Sequence, residues 1–257
     1  MAKDIQLSNR MKAVAGMVDA GQRVADVGCD HGYVSIYLVK NGISPSALAM
    51  DINEGPLERA LANIKSNGLE DKIKTRLSDG LMKYNENEAD TLIIAGMGGP
   101  LINSILSYDM TLTKSFNNLI LSPQSEIEDT RIYLYENGFN IVDEDMVFED
   151  GKYYVIMKCQ KMAGFKDALE RVHEMFGPRL IEKKHPVLRE YLEYERSKHN
   201  ELLCKLNTQI ESVSGDDNGK SLNKVSTENG ARIRIENRIK EINQELELIN
   251  EAFDLMG

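Results

Sequence analysis

The 257-residue chain predicts an α/β protein, with a largely parallel sheet, a closing antiparallel hairpin strand and a C-terminal helical hairpin. Three observations carry this. From residue 23 to about 160, short apolar runs alternate with stretches of helical period, the pattern of strand–helix–strand units. That region closes with two β-type runs joined by Asp150-Gly151, a hairpin signal. Beyond residue 165 the chain is charged and helical in period.

In chain order, LSNRMKAVAGMV reads as a helix capped by Ser8. RVADVG, SALAMD, KIKTRL, ADTLIIAG and NNLILS read as strands. Between them GYVSIYLVKNG, GPLERALANIKSNG and EDTRIYLYENG read as helices that stop at Asn-Gly. FNIVDEDMVFED and GKYYVIMKC form the hairpin. The following helical sequence is interrupted at Gly177-Pro178 and at His185-Pro186. Ser212 to Gly230 has the composition of an exposed loop. A last helix carries Ile233, Ile235, Ile239, Ile242, Leu246, Leu248 and Ile249 at a spacing of 3.5–3.6, suited to an antiparallel coiled coil. The expected domains are 1–162 and 163–257, and no internal repeat is apparent.

Composition narrows the function classes. No apolar run approaches the roughly 20 residues of a membrane span, and MAKDIQLSNR lacks the apolar core of a secretory signal. Cys29, Cys159 and Cys204 lie far apart, which argues against a zinc site or a disulfide framework. A cytoplasmic protein that holds no metal is expected. The net charge of −10 opposes nucleic acid as a partner, but residues 161–257 hold 16 Lys+Arg against 18 Asp+Glu, near neutrality. Lys183, Lys184, His185, Arg189, Arg196 and Lys198 crowd one stretch there, with Tyr191 and Tyr194 nearby. That stretch suits phosphate or stacking contacts, or equally a solvated helix face.

The motifs fall at successive strand ends. The first strand runs into Asp26-Val-Gly28-Cys29-Asp30-His31-Gly32-Tyr33, whose glycines would let backbone approach a ligand. An ordinary strand–helix turn is the alternative, and Asp at position 30 breaks the dinucleotide Gly-x-Gly-x-x-Gly pattern. Asp51, ending the second strand, suits the hydroxyls of a ribose. Asp79, before Gly80, suits an adenine amine or the cap of a following helix. Gly96-Met97-Gly98-Gly99 after the fourth strand would leave an open edge, or form a plain loop. Ser122-Pro123-Gln124 adds a polar rim on the same side. The Asn/Asp-Pro-Pro-Tyr of many adenine-N6 methyltransferases is absent.

Taken together, LSNRMKAVA, DVGCDHGY, MDIN, LSDGL, IIAGMGG and LILSPQ, followed by an acidic-aromatic hairpin and a helical tail, resemble the bacterial tRNA (adenine-22-N1)-methyltransferase family. The likeness runs over nearly the whole chain and is tightest over residues 7–160. It implies a Rossmann-like class I methyltransferase sheet that binds S-adenosylmethionine, and a coiled-coil hairpin that helps hold tRNA. It implies cofactor contacts at Asp26, Gly28, Asp51, Ile52, Asp79 and Gly80, with Arg10 a further one. Cys29, Gly96 and Met97 adjoin these. Gly98, Gly99 and Pro123 fall on the acceptor side, with Lys183, Lys184 and Arg189 toward RNA. Asp30 is the preferred catalytic residue and His31 the second. Monomer and dimer stay open. A methyltransferase acting on a small molecule or another RNA, a nucleoside-binding protein without activity and, last, an NAD oxidoreductase are the alternatives.

Overall fold

A computed structural model describes residues 5–162, 169–214 and 222–257. Seven strands form one sheet: β1 (Val24–Val27), β2 (Ala47–Asp51), β3 (Ile73–Leu77), β4 (Thr91–Met97), β5 (Asn118–Pro123), β6 (Phe139–Glu149) and β7 (Lys152–Lys161). Their order is β3-β2-β1-β4-β5-β7-β6. The first five run parallel, and β7 lies antiparallel between β5 and β6. Every residue of β1, β2 and β5 is buried, as expected of parallel strands covered on both faces. Asp150 and Gly151 link β6 to β7 with φ of +51° and +76°, the two-residue turn whose twist matches the strands.

The expected helices form around this sheet. α1 (Asn9–Gly16) starts at Ser8, whose Oγ accepts from Met11 N at 3.3 Å. α2 (Tyr33–Lys40), α3 (Glu54–Ser66) and α6 (Ile127–Glu136) follow β1, β2 and β5 as expected, while α4 (Gly99–Ser107) and α5 (Met110–Thr113), between β4 and β5, were not expected. Of these, α2, α3 and α6 stop at Asn41, Asn67 and Asn137, each the Asn of an Asn-Gly pair. No helix follows β3: Asp79 opens a turn closed by Met82 N on Asp79 O at 3.0 Å, so the helix-cap alternative for Asp79 falls.

After the hairpin come α7 (Arg171–Phe176), α8 (Pro178–Glu182), α9 (Pro186–Ser214) and α10 (Leu222–Met256), broken where Gly177-Pro178 and His185-Pro186 were expected to break them. The chain divides into two compact units, Met1–Leu180 and Ile181–Gly257, a division further along than residue 162. In the first unit, a buried ion pair ties α7 to the sheet. Arg131 Nε meets Glu144 Oε1 at 3.0 Å, both fully buried, and Arg131 Nη1 donates to Glu174 O and Met175 O at 2.9 Å. Glu144 Oε2 also accepts from Arg179 N at 2.9 Å.

In the second unit, α9 and α10 run antiparallel. His199 Nε2 meets Glu245, and Arg196 lies 4.6 Å over the Phe253 ring. Ile242 and Ile249 are buried and Ile235, Ile239 and Leu246 half-buried, an inward stripe at steps of four and three. Ile233 falls off it and is 56% exposed. The loop expected over 212–230 is shorter, because α9 continues to Ser214 and α10 begins at Leu222. Its remainder, 215–221, lies outside the described residues. Polar residues without proline do not break a helix, and the single Gly230 costs only about 1 kcal/mol.

Candidate active site

Strand order reverses between β1 and β4, since β2 and β3 extend to one side and β5 to the other. Open α/β sheets bind ligands in the crevice at the carboxyl ends of strands around such a point. Two adjoining cavities lie there, of about 290 and 250 Å³, sharing Gly28, Ala95 and Gly96 on their walls. Together they reach the size of a small-molecule site.

The larger cavity brings together Asp51, Ile52, Asp79, Gly80, Gly96 and Met97. Asp51 is buried at the end of β2, with Oδ1 accepting from Asn53 N at 3.0 Å. Ile52 is 58% exposed beside it, an apolar flank for a planar ring. Gly28 has φ +76°, a conformation that side chains rarely adopt, and the Met97 thioether methyl packs directly over it. Leu101 and Ile105 of α4 close the apolar side. Sequence gave no signal for them, because helix periodicity does not distinguish a core face from a cavity wall.

The smaller cavity gathers Arg10, Asp26, Cys29, Asp30 and His31. Asp26 is buried and accepts from Ser35 Oγ at 2.8 Å. Burial pushes its carboxyl up to about 6, against the opposing Ser35 hydrogen bonds. Burial, with Asp26 and Asp51 nearby, pushes the Cys29 thiol up as well, which keeps it protonated. Asp30 adopts φ +46° and is largely exposed, with Arg59 Nη2 of α3 donating to its Oδ1 at 3.2 Å. His31 Nε2 lies 3.5 Å from Asp30 Oδ2, and the His31 ring stacks on Tyr33, centroids 5.1 Å apart and 9° from parallel. Arg59 escaped the sequence reading, since its pairing with Asp30 spans 29 residues. Tyr33 also lines this cavity, and Gln124 reaches it as the polar rim expected of Ser122-Pro123-Gln124.

Arg10 is the least satisfied polar group of the site. Its Nη1 is buried without a hydrogen-bond partner, on the wall of the smaller cavity. A buried cationic donor left unpaired is costly, so the cavity suits a ligand bearing an anionic acceptor there.

Three expected acceptor-side residues are not on the walls of either cavity. Gly99 is buried at the start of α4, donating its N–H to Ser125 O at 3.0 Å; a Cβ there would sit 2.7 Å from the Ser125 and Glu126 carbonyls. Gly98 packs against Ser125 beside it. Both allow the close approach of α4 to the loop before α6, while Gly96 lines both cavities. Pro123 is buried at the end of β5, and the neighbouring Gln124 meets the cavity instead. Lys183, Lys184 and Arg189 belong to the second unit. Lys183 and Lys184 are exposed, whereas Arg189 lies 5.8 Å over the Phe253 ring and donates to Gly257 O at 3.3 Å. Among the described residues no group of three or more His, Cys, Asp or Glu could hold a metal ion, and no helix is long and apolar enough to cross a membrane.

A crevice at the reversal point, three strand-end carboxylates and a sheet closed by an antiparallel hairpin define a methyltransferase, and a methyltransferase-domain family model matches residues 7–157. The tRNA (adenine(22)-N(1))-methyltransferase of Bacillus subtilis is 36% identical over 165 residues, 64% of this chain and 68% of that one. A crystal structure of the B. subtilis M1A22 tRNA methyltransferase TrmK superimposes with a TM-score of 0.72 at 28% identity, over 97% of this chain and 99% of that chain. M. capricolum TrmK, solved with S-adenosyl-homocysteine, gives 0.71 at 30% identity over 95% and 99%. This chain belongs to the tRNA (adenine(22)-N(1))-methyltransferase family.

Proposed function

We propose that the enzyme transfers a methyl group from S-adenosylmethionine to N1 of an adenine in tRNA, at position 22 by the family's specificity. The observation that carries this is the pairing of two cavities with different chemistry across Gly28 and Gly96. One offers carboxylates and an apolar flank to a nucleoside, and the other offers a guanidinium nitrogen without a hydrogen-bond partner to an amino-acid end.

In this scheme Asp51 accepts from the ribose hydroxyls and Asp79 from the adenine amine, with Ile52 flanking the base. Arg10 receives the carboxylate, and buried Asp26 faces the ammonium group. The bound cofactor supplies an electrophilic methyl on a sulfonium. The enzyme's task is then to place a flipped-out adenine, N1 foremost, against it. Asp30, paired with Arg59 and on the wall of the smaller cavity, stands where it can offset the positive charge that N1 methylation leaves on the ring, or take the N6 proton. The His31–Tyr33 stack beside it offers a flat apolar face to the incoming base. Such chemistry needs no metal, and a tRNA substrate fits a cytoplasmic enzyme.

Incubation with labelled S-adenosylmethionine and unmodified tRNA, followed by digestion to nucleosides, tests the proposal. Label is expected in 1-methyladenosine. Asp30→Ala is expected to lose at least about a hundredfold in turnover while S-adenosylhomocysteine affinity stays within about twofold. Label in N6-methyladenosine, or none while the cofactor product still binds, would contradict the acceptor assignment.

A further inference from the structure

Arg10 is not placed in the cavity by α1 alone. Its guanidinium lies 4.8 Å over the ring of Tyr154 on β7. The N-terminus of α1, from which Arg10 projects, is held by Glu149 at the tip of β6. Asn9 N donates to Glu149 Oε1 at 2.7 Å and Arg10 N to Oε2 at 3.4 Å. Both partners flank the Asp150-Gly151 turn, so one hairpin supports Arg10 through backbone and side chain together. The guanidinium reaches the glycine edge between the cavities. A Cβ built on Gly96 would lie 3.7 Å from Arg10 Nη1 and 3.8 Å from the Gln124 amide. Two polar groups thus converge over a residue without a side chain, and one of them, Nη1, is buried and unpaired.

We infer that the β6–β7 hairpin is a positioning device for the amino-acid end of the cofactor, with Tyr154 and Glu149 holding Arg10 toward the carboxylate that the adenosine subsite does not touch. This rests on the proposed use of S-adenosylmethionine and adds two residues to it. The Tyr154 ring fixes the guanidinium from one face, where a cation over an aromatic plane is attracted by the ring quadrupole. Glu149 fixes the helix from which Arg10 springs, because its carboxylate complements the donors and partial positive charge at a helix start. The device acts on one end of the ligand only. A nucleoside that lacks the amino-acid end is indifferent to it.

Calorimetric titration of the full chain with S-adenosylhomocysteine and with 5′-methylthioadenosine, which keeps the adenosine and the sulfur but has no amino-acid end, separates the two subsites. Tyr154→Leu is expected to weaken S-adenosylhomocysteine about tenfold and to leave methylthioadenosine unchanged. Tyr154→Phe keeps the ring face and is expected to bind both as the parent does. Glu149→Gln, which retains one of two acceptors, is expected to give a smaller loss confined to S-adenosylhomocysteine. Equal binding of S-adenosylhomocysteine by Tyr154→Leu and the parent would overturn the inference. So would a parallel loss of both ligands in Tyr154→Leu, the mark of general damage. A parent chain that binds neither ligand would overturn the cofactor assignment itself, and the inference with it.

Discussion

Asp26 couples the site to the stability of the fold. Burial holds its carboxyl at about 6, above the roughly 3.9 of an unfolded chain. Between those values the folded protein keeps a proton that the unfolded chain has released. Stability from this group is therefore full below about pH 4 and falls as pH rises through 6. Asp26→Asn removes the titration and retains a partner for Ser35. From pH 4.5 to 7.5 the parent is expected to lose about 2 kcal/mol relative to that variant, measured by urea unfolding at both pH values; a constant difference would show that Asp26 does not titrate as described. Most of this site was legible residue by residue, because strand-end carboxylates and glycines mark the crevice of an α/β sheet. What was not legible lies across the fold. Arg59 meets Asp30, and Glu149 meets the start of α1, at separations no local pattern reports. Gly98 and Gly99 belong to the same turn as the cavity-lining Gly96, and only the packing against Ser125 sets them apart from it.

Helix stops and turns follow local chemistry, so the three Asn-Gly ends, the Asp150-Gly151 turn and the proline-led starts of α8 and α9 could be read in advance. The run from 212 to 230 could not, since Ser, Asn, Thr and Gly favour turns over helix interiors and α10 nevertheless takes in that sequence from Leu222 onward. The assignment of α7 to the sheet unit also rests on a contact distant in sequence, the buried Arg131–Glu144 pair and its bonds to Glu174 and Met175. Removing one partner leaves a buried charge uncompensated. Arg131→Met is expected to destabilise the chain by about 3–5 kcal/mol, read as a lowered urea midpoint. A change under about 1 kcal/mol would show that the pair does not carry the junction of α6, β6 and α7.

For the molecule as a whole, a net charge of −10 means that tRNA is not gathered by a global field. Residues 1–160 hold 15 Lys+Arg against 23 Asp+Glu, so RNA contacts must be local. Lys183 and Lys184, exposed before α9 in the second unit, are the proposed contacts of this kind. Reversing both, Lys183→Glu with Lys184→Glu, is expected to weaken tRNA binding by at least about tenfold near physiological salt, with S-adenosylhomocysteine binding unchanged. Unchanged tRNA affinity in a filter-binding titration would remove this stretch from the RNA surface. The proposed reaction is a single methyl transfer to N1 of one tRNA adenine. Its most direct measurement compares two transcripts of one tRNA, with adenine or guanine at position 22, in the labelled-methyl assay with nucleoside analysis. Label in 1-methyladenosine from the first transcript and none from the second is the predicted result. Equal labelling of both, or label in any other nucleoside, would contradict it.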